Sequence, residues 1–318
     1  MIPMKKIFLF LVVFLTLFAV VFIYIKTLFT PVSTNSESVD FLVTKGSSVA
    51  QIGNNLEKSK LIKSAILFKF YVQITNSTNK IQAGEFQLSP NLSLTQILNE
   101  LKKGPKEIWV TIPEGLRKEE VALKFASSLG KDTEFIKEFL IISQGKEGYL
   151  FPDTYLFPKT ATATQIINKM TSTFDKKISD VTFEQVIMAS MLERETFSDS
   201  EKPLVAGVLY KRLKNDWPLQ VDATLQYAKD SQSCKNNLNC DFWKPIYSED
   251  KTINSPFNTY KNLGLPPSPI ASAGLSSLKA AVAPEESEYW YYIHDNDGKI
   301  HFARTLEEHN ANISKYLR

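Results

Sequence analysis

Glu193 and Glu195 stand two positions apart in the string LERET, directly after the apolar run VIMASML (186–192). A carboxyl group that meets a cleft from a protein interior suits general acid and base chemistry, because lost solvation lifts its pKa toward the working pH. Side chains at i and i+2 of a helix diverge by roughly 200°, so these two cannot face each other across one glycosidic bond as acid and nucleophile. At most one of them is the working group. Glu193 continues the mostly apolar stripe through Val186, Ala189 and Ser190, a setting that favours a protonated carboxyl, and it is the candidate catalytic residue. The competing reading treats Glu193, Arg194 and Glu195 as solvated charges at a helix end.

The element that must position these acids is well specified. Thr182 as N-cap with Gln185 three residues on forms a capping box, and Val181 with Val186 supplies a hydrophobic staple. The run after it is apolar almost all round, which predicts a buried helix over 181–196. Further helices are expected at 162–174, 201–215 and 275–283, the last stopped by Pro284, and a strand pair at 289–295 and 299–303 turns at Asn296-Asp297-Gly298. In GYLFPDTYLFP (148–158) two prolines discourage a helix, and Tyr149, Phe151, Tyr155 and Phe157 are either core anchors or exposed rings for sugar faces.

Upstream, FLV (41–43) reads as a strand, and capping boxes at Ser48/Gln51 and Ser93/Gln96 open two short helices, the second ending at Gly104. WVTIPEG with Val121 and Phe125 echoes the spacing of FLVTKG with Ile52 and Leu56, a strand-helix unit used twice or a chance likeness of two αβ turns. The expected fold class is α+β.

Ile7 to Ile25 forms a 19-residue run with Thr16 as its polar exception, enough to span a hydrocarbon core of about 30 Å. Lys5 and Lys6 precede it, so the positive-inside bias puts the N-terminus in the cytoplasm and the rest of the chain outside. A cleaved secretory signal is the competing reading, although the run is long for one and no A-x-A site follows. The expected division is a cytoplasmic tail (1–6), a transmembrane anchor (7–25), a linker (26–38), a small αβ module (39–108) and a larger α+β catalytic domain (109–318). A net charge of +3 over 318 residues gives no basic field for nucleic acid. His294, His301 and His309 show no metal-ligand spacing, and neither metal nor cofactor is expected. Cys234 and Cys240 are the only cysteines; export would let them pair, and two free thiols is the equal alternative.

ASMLERET, with GYLFPDTY before it and LQVDATLQYA (219–228), SPFNTY (255–260), GLPPSPIASAGLSSLKAAVAP (264–284) and HFARTLEEHN (301–310) after it, resembles the MltG (YceG-like) family of endolytic murein transglycosylases. The likeness runs over essentially the whole chain, including the N-terminal span and a LysM-like module at 39–108. Arg194, Tyr149, Ser268 and Ala273 depart from the residues common in the family. The resemblance implies non-hydrolytic cleavage of the β-1,4 bond between N-acetylmuramic acid and N-acetylglucosamine in peptidoglycan glycan strands. It assigns the acid and base to Glu193 and a supporting, substrate-binding role to Glu195. Gln220, Asp222, Thr224, Asn258 and Tyr260 are the remaining substrate-binding candidates, with polar groups that match sugar hydroxyl and acetamido partners; tying down long loops is their alternative role. Peptidoglycan synthases or division proteins are candidate partners. Two other functions compete: an ordinary glycoside hydrolase with Asp222 or Asp153 as second carboxylate, and a non-catalytic anchored scaffold that binds glycan.

Overall fold

The computed structural model describes residues 4–234 and 240–317, with side chains from Leu11 onward. Residues 1–3 of the expected tail therefore lie outside the described residues. The fold is α+β, and the chain divides into two compact units: 1–109 with 156–159, and 110–155 with 160–318.

The first unit begins with α1 (Met4–Phe29), whose segment Leu11–Phe29 is long and apolar enough to cross a membrane, with none of that window buried in protein. Then come β1 (Val39–Val43), α2 (Val49–Lys58), α3 (Ala65–Ile74), β2 (Gly84–Leu88) and α4 (Leu94–Lys103). Both expected capping boxes are present: Gln51 and Gln96 side chains accept the N–H of Ser48 and Ser93, each at 2.8 Å. Gly104 ends α4 at φ +87°, ψ 162°, a positive φ outside the left-handed helical cap anticipated there. The sheet order is β1-β2-β3-β4, with β3 (Glu107–Thr111) and β4 (Thr154–Pro158). β1 and β2 are antiparallel, pairing Phe41 with Phe86, and those rings close on Leu56, Phe68, Ile97 and Leu101 to make the unit's core.

The second unit packs helices around one buried rod. It contains α5 (Lys118–Leu129), α6 (Thr133–Ile142), α7 (Ala163–Lys177), α8 (Phe183–Glu195), α9 (Lys202–Lys214), α10 (Asp222–Ser233) and α11 (Leu275–Val282). The chain ends with the antiparallel hairpin β5 (Tyr291–His294) and β6 (Ile300–Ala303), then α12 (Leu306–Tyr316). Every residue of α8 from Val186 to Leu192 is buried, as an apolar helix with no polar face requires. Ser190, the one hydroxyl in that run, is satisfied within the core: it donates to Ile187 O and accepts the Ile270 N–H. α10 and α12 were not anticipated from the sequence. Phe151, Tyr155 and Phe157 are buried and Tyr149 packs at the core edge, so these rings anchor the interior. Cys234 and Cys240 form a disulfide.

Candidate active site

The last turn of α8 sends its two acids into different surroundings. Glu193 points to the N-terminus of α11, where Oε2 accepts the Gly274 N–H at 2.9 Å and the Ser277 hydroxyl at 2.7 Å. The ammonium of Lys202 lies 3.6 Å away and is itself held by Ser276 at 2.7 Å and Asp199 at 3.0 Å. Only 9% of the Glu193 side chain is exposed. The surroundings of Oε2 are thus polar, with all three contacts on that one oxygen, which differs from the apolar approach expected for this carboxyl: the stripe on α8 is apolar, but the tip reaches beyond it into donors supplied by other elements.

Glu114 completes that cluster. It sits in the Pro113-Glu114-Gly115 turn between β3 and α5, and burial, followed by the charge of Glu193, raises its pKa. A side-chain contact with Glu193 adds to the same upward shift. Its carboxyl group rests on Gly274, where an added Cβ would come within 1.9 Å of Oε1, so a larger residue there would have to turn the Glu114 side chain aside. Backbone bonds Gly115 N–H to Ser272 O and Ser272 N–H to Leu116 O, both 2.8 Å, lock this turn against the segment leading into α11. Arg194 stacks on Trp243 at 4.0 Å, and Trp243 donates to Glu120 at 2.8 Å, closing the adjoining side.

Glu195 faces elsewhere. Its carboxylate accepts the Tyr292 hydroxyl at 2.9 Å and lines a cavity of about 670 Å³ together with Gln220, Asp222, Tyr260, Tyr292 and His294. Burial, and then the charge of Asp222, push its pKa up to about 7, against the opposing effects of the Tyr292 and Ala223 hydrogen bonds and the Arg212 charge. Asp222 opens α10 and accepts a short hydrogen bond from the Tyr260 hydroxyl. Arg212 is buried and fully engaged with the carbonyls of Trp290 and Leu219, so it contributes charge and rigidity to the wall. Gln220 adopts φ +54°, a left-handed conformation uncommon for a side-chain-bearing residue and found at ligand-facing loops.

The candidates therefore separate. Gln220, Asp222 and Tyr260 share the cavity with Glu195. Thr224 and Asn258 do not: both are fully buried. Thr224 bonds Val221 O and Thr259, and Asn258 donates to Lys251 O and Ile253 O, so each ties a loop to its neighbour and leaves no group for a ligand. Asp153 is paired with Lys177 at 3.4 Å and takes no part in the cavity wall. Sequence reasoning missed Glu114, Lys202, Arg212 and Tyr292, which come from the β3–α5 turn, α9 and β5; the one local sign was an acid flanked by Pro113 and Gly115, a turn that fixes a side chain's direction.

This arrangement sits within a chain whose residues 41–315 match the YceG-like family. The chain belongs to the YceG-like family. It is 31% identical to the endolytic murein transglycosylase of Bacillus subtilis (strain 168), covering 93% of this chain and 90% of that protein. It is 29% identical to the endolytic murein transglycosylase of Streptococcus pneumoniae serotype 2, covering 92% of this chain and 61% of that longer protein. A crystal structure of a YceG-like protein from Listeria monocytogenes aligns with a TM-score of 0.53 at 31% identity, over 87% of this chain and 99% of that one. Within this YceG-like chain, the strings that carried the resemblance surround both acids: LQVDATLQYA and SPFNTY contribute to the Glu195 cavity wall, and the middle of GLPPSPIASAGLSSLKAAVAP supplies Gly274 and Ser277 to Glu193.

Proposed function

We propose that this chain is a membrane-anchored endolytic murein transglycosylase with Glu195 as proton donor and acceptor and Glu193 as the residue that holds the end of α8. The observation that carries the assignment is the position of Glu195, a carboxyl with pKa about 7 on the wall of a large cavity, among three of the sugar-binding candidates. Glu193 has its donors inside the protein, which supports a positioning role. Glu195 gives its proton to the glycosidic oxygen as the bond to C1 of N-acetylmuramic acid breaks. The C6 hydroxyl of the same ring bonds to C1, and its proton passes to Glu195. The product is a 1,6-anhydro end, no water is consumed, and the carboxyl is regenerated. One carboxyl group suffices because the nucleophile belongs to the substrate and is present at high effective concentration.

Lys5 and Lys6 in the first turn of α1, ahead of its apolar segment, and the disulfide in the second unit support a cytoplasmic N-terminus with both units outside. That placement gives access to nascent strands, whose elongation such cleavage would terminate beside the synthases that make them. The first unit, over 39–108, is read as a LysM-like module that holds the glycan.

The test incubates the purified full-length chain with uncrosslinked glycan strands and analyses new ends by mass spectrometry, with Glu195→Gln and Glu193→Gln in parallel. Anhydro ends from the parent and their loss in Glu195→Gln support the reading. Hydrated ends would favour the second reading, an inverting or retaining hydrolase, for which Asp222 in the same cavity is the available second carboxylate.

A further inference from the structure

α3 carries an apolar face that none of the described residues covers. Ile66, Phe70 and Ile74 recur every fourth residue and are 84%, 59% and 68% exposed, whereas Ala65, Phe68 and Val72 on the other side are buried in the core of the first unit. Scattered exposed apolar side chains are ordinary; three aligned along one short helix are not.

The place of this face is fixed by the end of α1. Lys63, one turn before Ile66, donates to Thr27 O at 3.1 Å and to the Thr30 hydroxyl at 2.7 Å, in the last turn of α1 and just beyond it. The ring of Phe29 meets that of Tyr71 edge to face at 5.3 Å, and Tyr71 is only roughly 100° around α3 from Phe70. Both contacts lie within the first unit. The exposed stripe thus starts where the apolar segment Leu11–Phe29 stops. Around it Lys58, Lys60, Lys63 and Lys69 are all exposed, and Glu57 is the single acid between residues 57 and 80.

We propose that the Ile66/Phe70/Ile74 face of α3 dips into the headgroup region of the same bilayer that α1 crosses, with the flanking lysines against anionic lipid phosphates. An amphipathic helix with a basic border takes up this interfacial position, its apolar side chains sinking about 5–10 Å below the surface. Lipid is the occupant because the face is continuous with the membrane end of the span. The consequence is that the first unit is held flat on the bilayer by two elements, α1 and α3, and does not swing on a single tether. This rests on the reading of α1 as a membrane span.

The experiment reconstitutes the full-length chain in vesicles of phosphatidylethanolamine and phosphatidylglycerol and places a nitroxide on Phe70→Cys. Phe18→Cys in α1 and Asn54→Cys on the exposed side of α2 serve as references. Cys234 and Cys240 are disulfide-bonded and do not take the label. The expected result is a ratio of oxygen to water-soluble nickel-chelate accessibility at Phe70 several-fold above that at Asn54, as for a side chain below the headgroup surface. A ratio at Phe70 equal to that at Asn54, with Phe18 in lipid, overturns the α3 proposal and leaves the anchor standing. Shelter of Phe70 from both reagents means protein covers the face and also overturns it. Nickel access at Phe18 and Phe70 together overturns the anchor reading as well.

Discussion

The Tyr292 hydroxyl donates to the Glu195 carboxylate across 2.9 Å, tying the first hairpin strand of the second unit to the last residue of its buried helix. The bond opposes burial and the charge of Asp222, so the pKa of Glu195, about 7, is a balance between groups from three elements. That balance can be moved in either direction by single substitutions.

Tyr292→Phe removes a bond that stabilises the charged form, so the pKa of Glu195 rises and its protonated form persists to higher pH. Asp222→Asn removes a negative neighbour, so the pKa falls. The alkaline limb of kcat/KM against pH is expected to move up in the first variant and down in the second. Limbs that stay fixed, or both shift the same way, would show that another group sets the profile.

Glu195→Gln should lower the rate of anhydro-end formation by about 10²–10⁴-fold, the range for loss of a general acid and base, with little change in Tm. Glu193→Gln keeps the shape but weakens the bonds to Gly274, Ser277 and Lys202, so a lower Tm and a smaller rate loss are expected. Full inactivation by Glu193→Gln at unchanged Tm, with Glu195→Gln active, would return the chemistry to Glu193.

Glu147 is buried, accepts the Lys118 N–H at 2.9 Å, and has its pKa pushed up to about 8 by burial and then by Glu119. A carboxyl raised above the usual carboxylate range binds its proton more tightly in the folded chain. Its contribution to stability is therefore present below that range and is lost as pH rises toward 8. Glu147→Gln does not titrate, so the fall in Tm between pH 5 and pH 8 should be shallower than in the parent. An unchanged slope, measured by thermal unfolding across that range, would rule this group out as its source.

Gly274→Ala sets a Cβ 1.9 Å from the Glu114 carboxyl and must push it off Glu193. The displaced group is the end of an exposed side chain that can turn aside, so a stability change within about 0.5 kcal/mol is expected. A loss of several kcal/mol by calorimetry would show that the Glu114 side chain cannot move.

Local chemistry alone determined a good part of this protein. The capping boxes at Ser48, Ser93, Thr162 and Thr182 fix helix starts because side chain and backbone satisfy each other within four residues. The apolar run 186–192 dictated a buried helix, 7–25 dictated a span-length helix, and helical geometry separated Glu193 from Glu195. α3 was not legible because a ten-residue run that is apolar almost all round reads equally as strand or helix, and α10 and α12 because they carry mixed polar and apolar faces whose packing depends on partners far along the chain. Which acid meets a cavity was decided only by tertiary structure. Gly274, Ser277, Lys202 and Glu114 converge on Glu193 while Tyr292, Asp222 and Arg212 surround Glu195, and a carboxyl group's solvation and charge environment come from such neighbours, most of them 20 to 100 residues away in sequence. Thr224 and Asn258 show the same limit in reverse: their chemistry suits a sugar, and their place in the fold commits them to the loops.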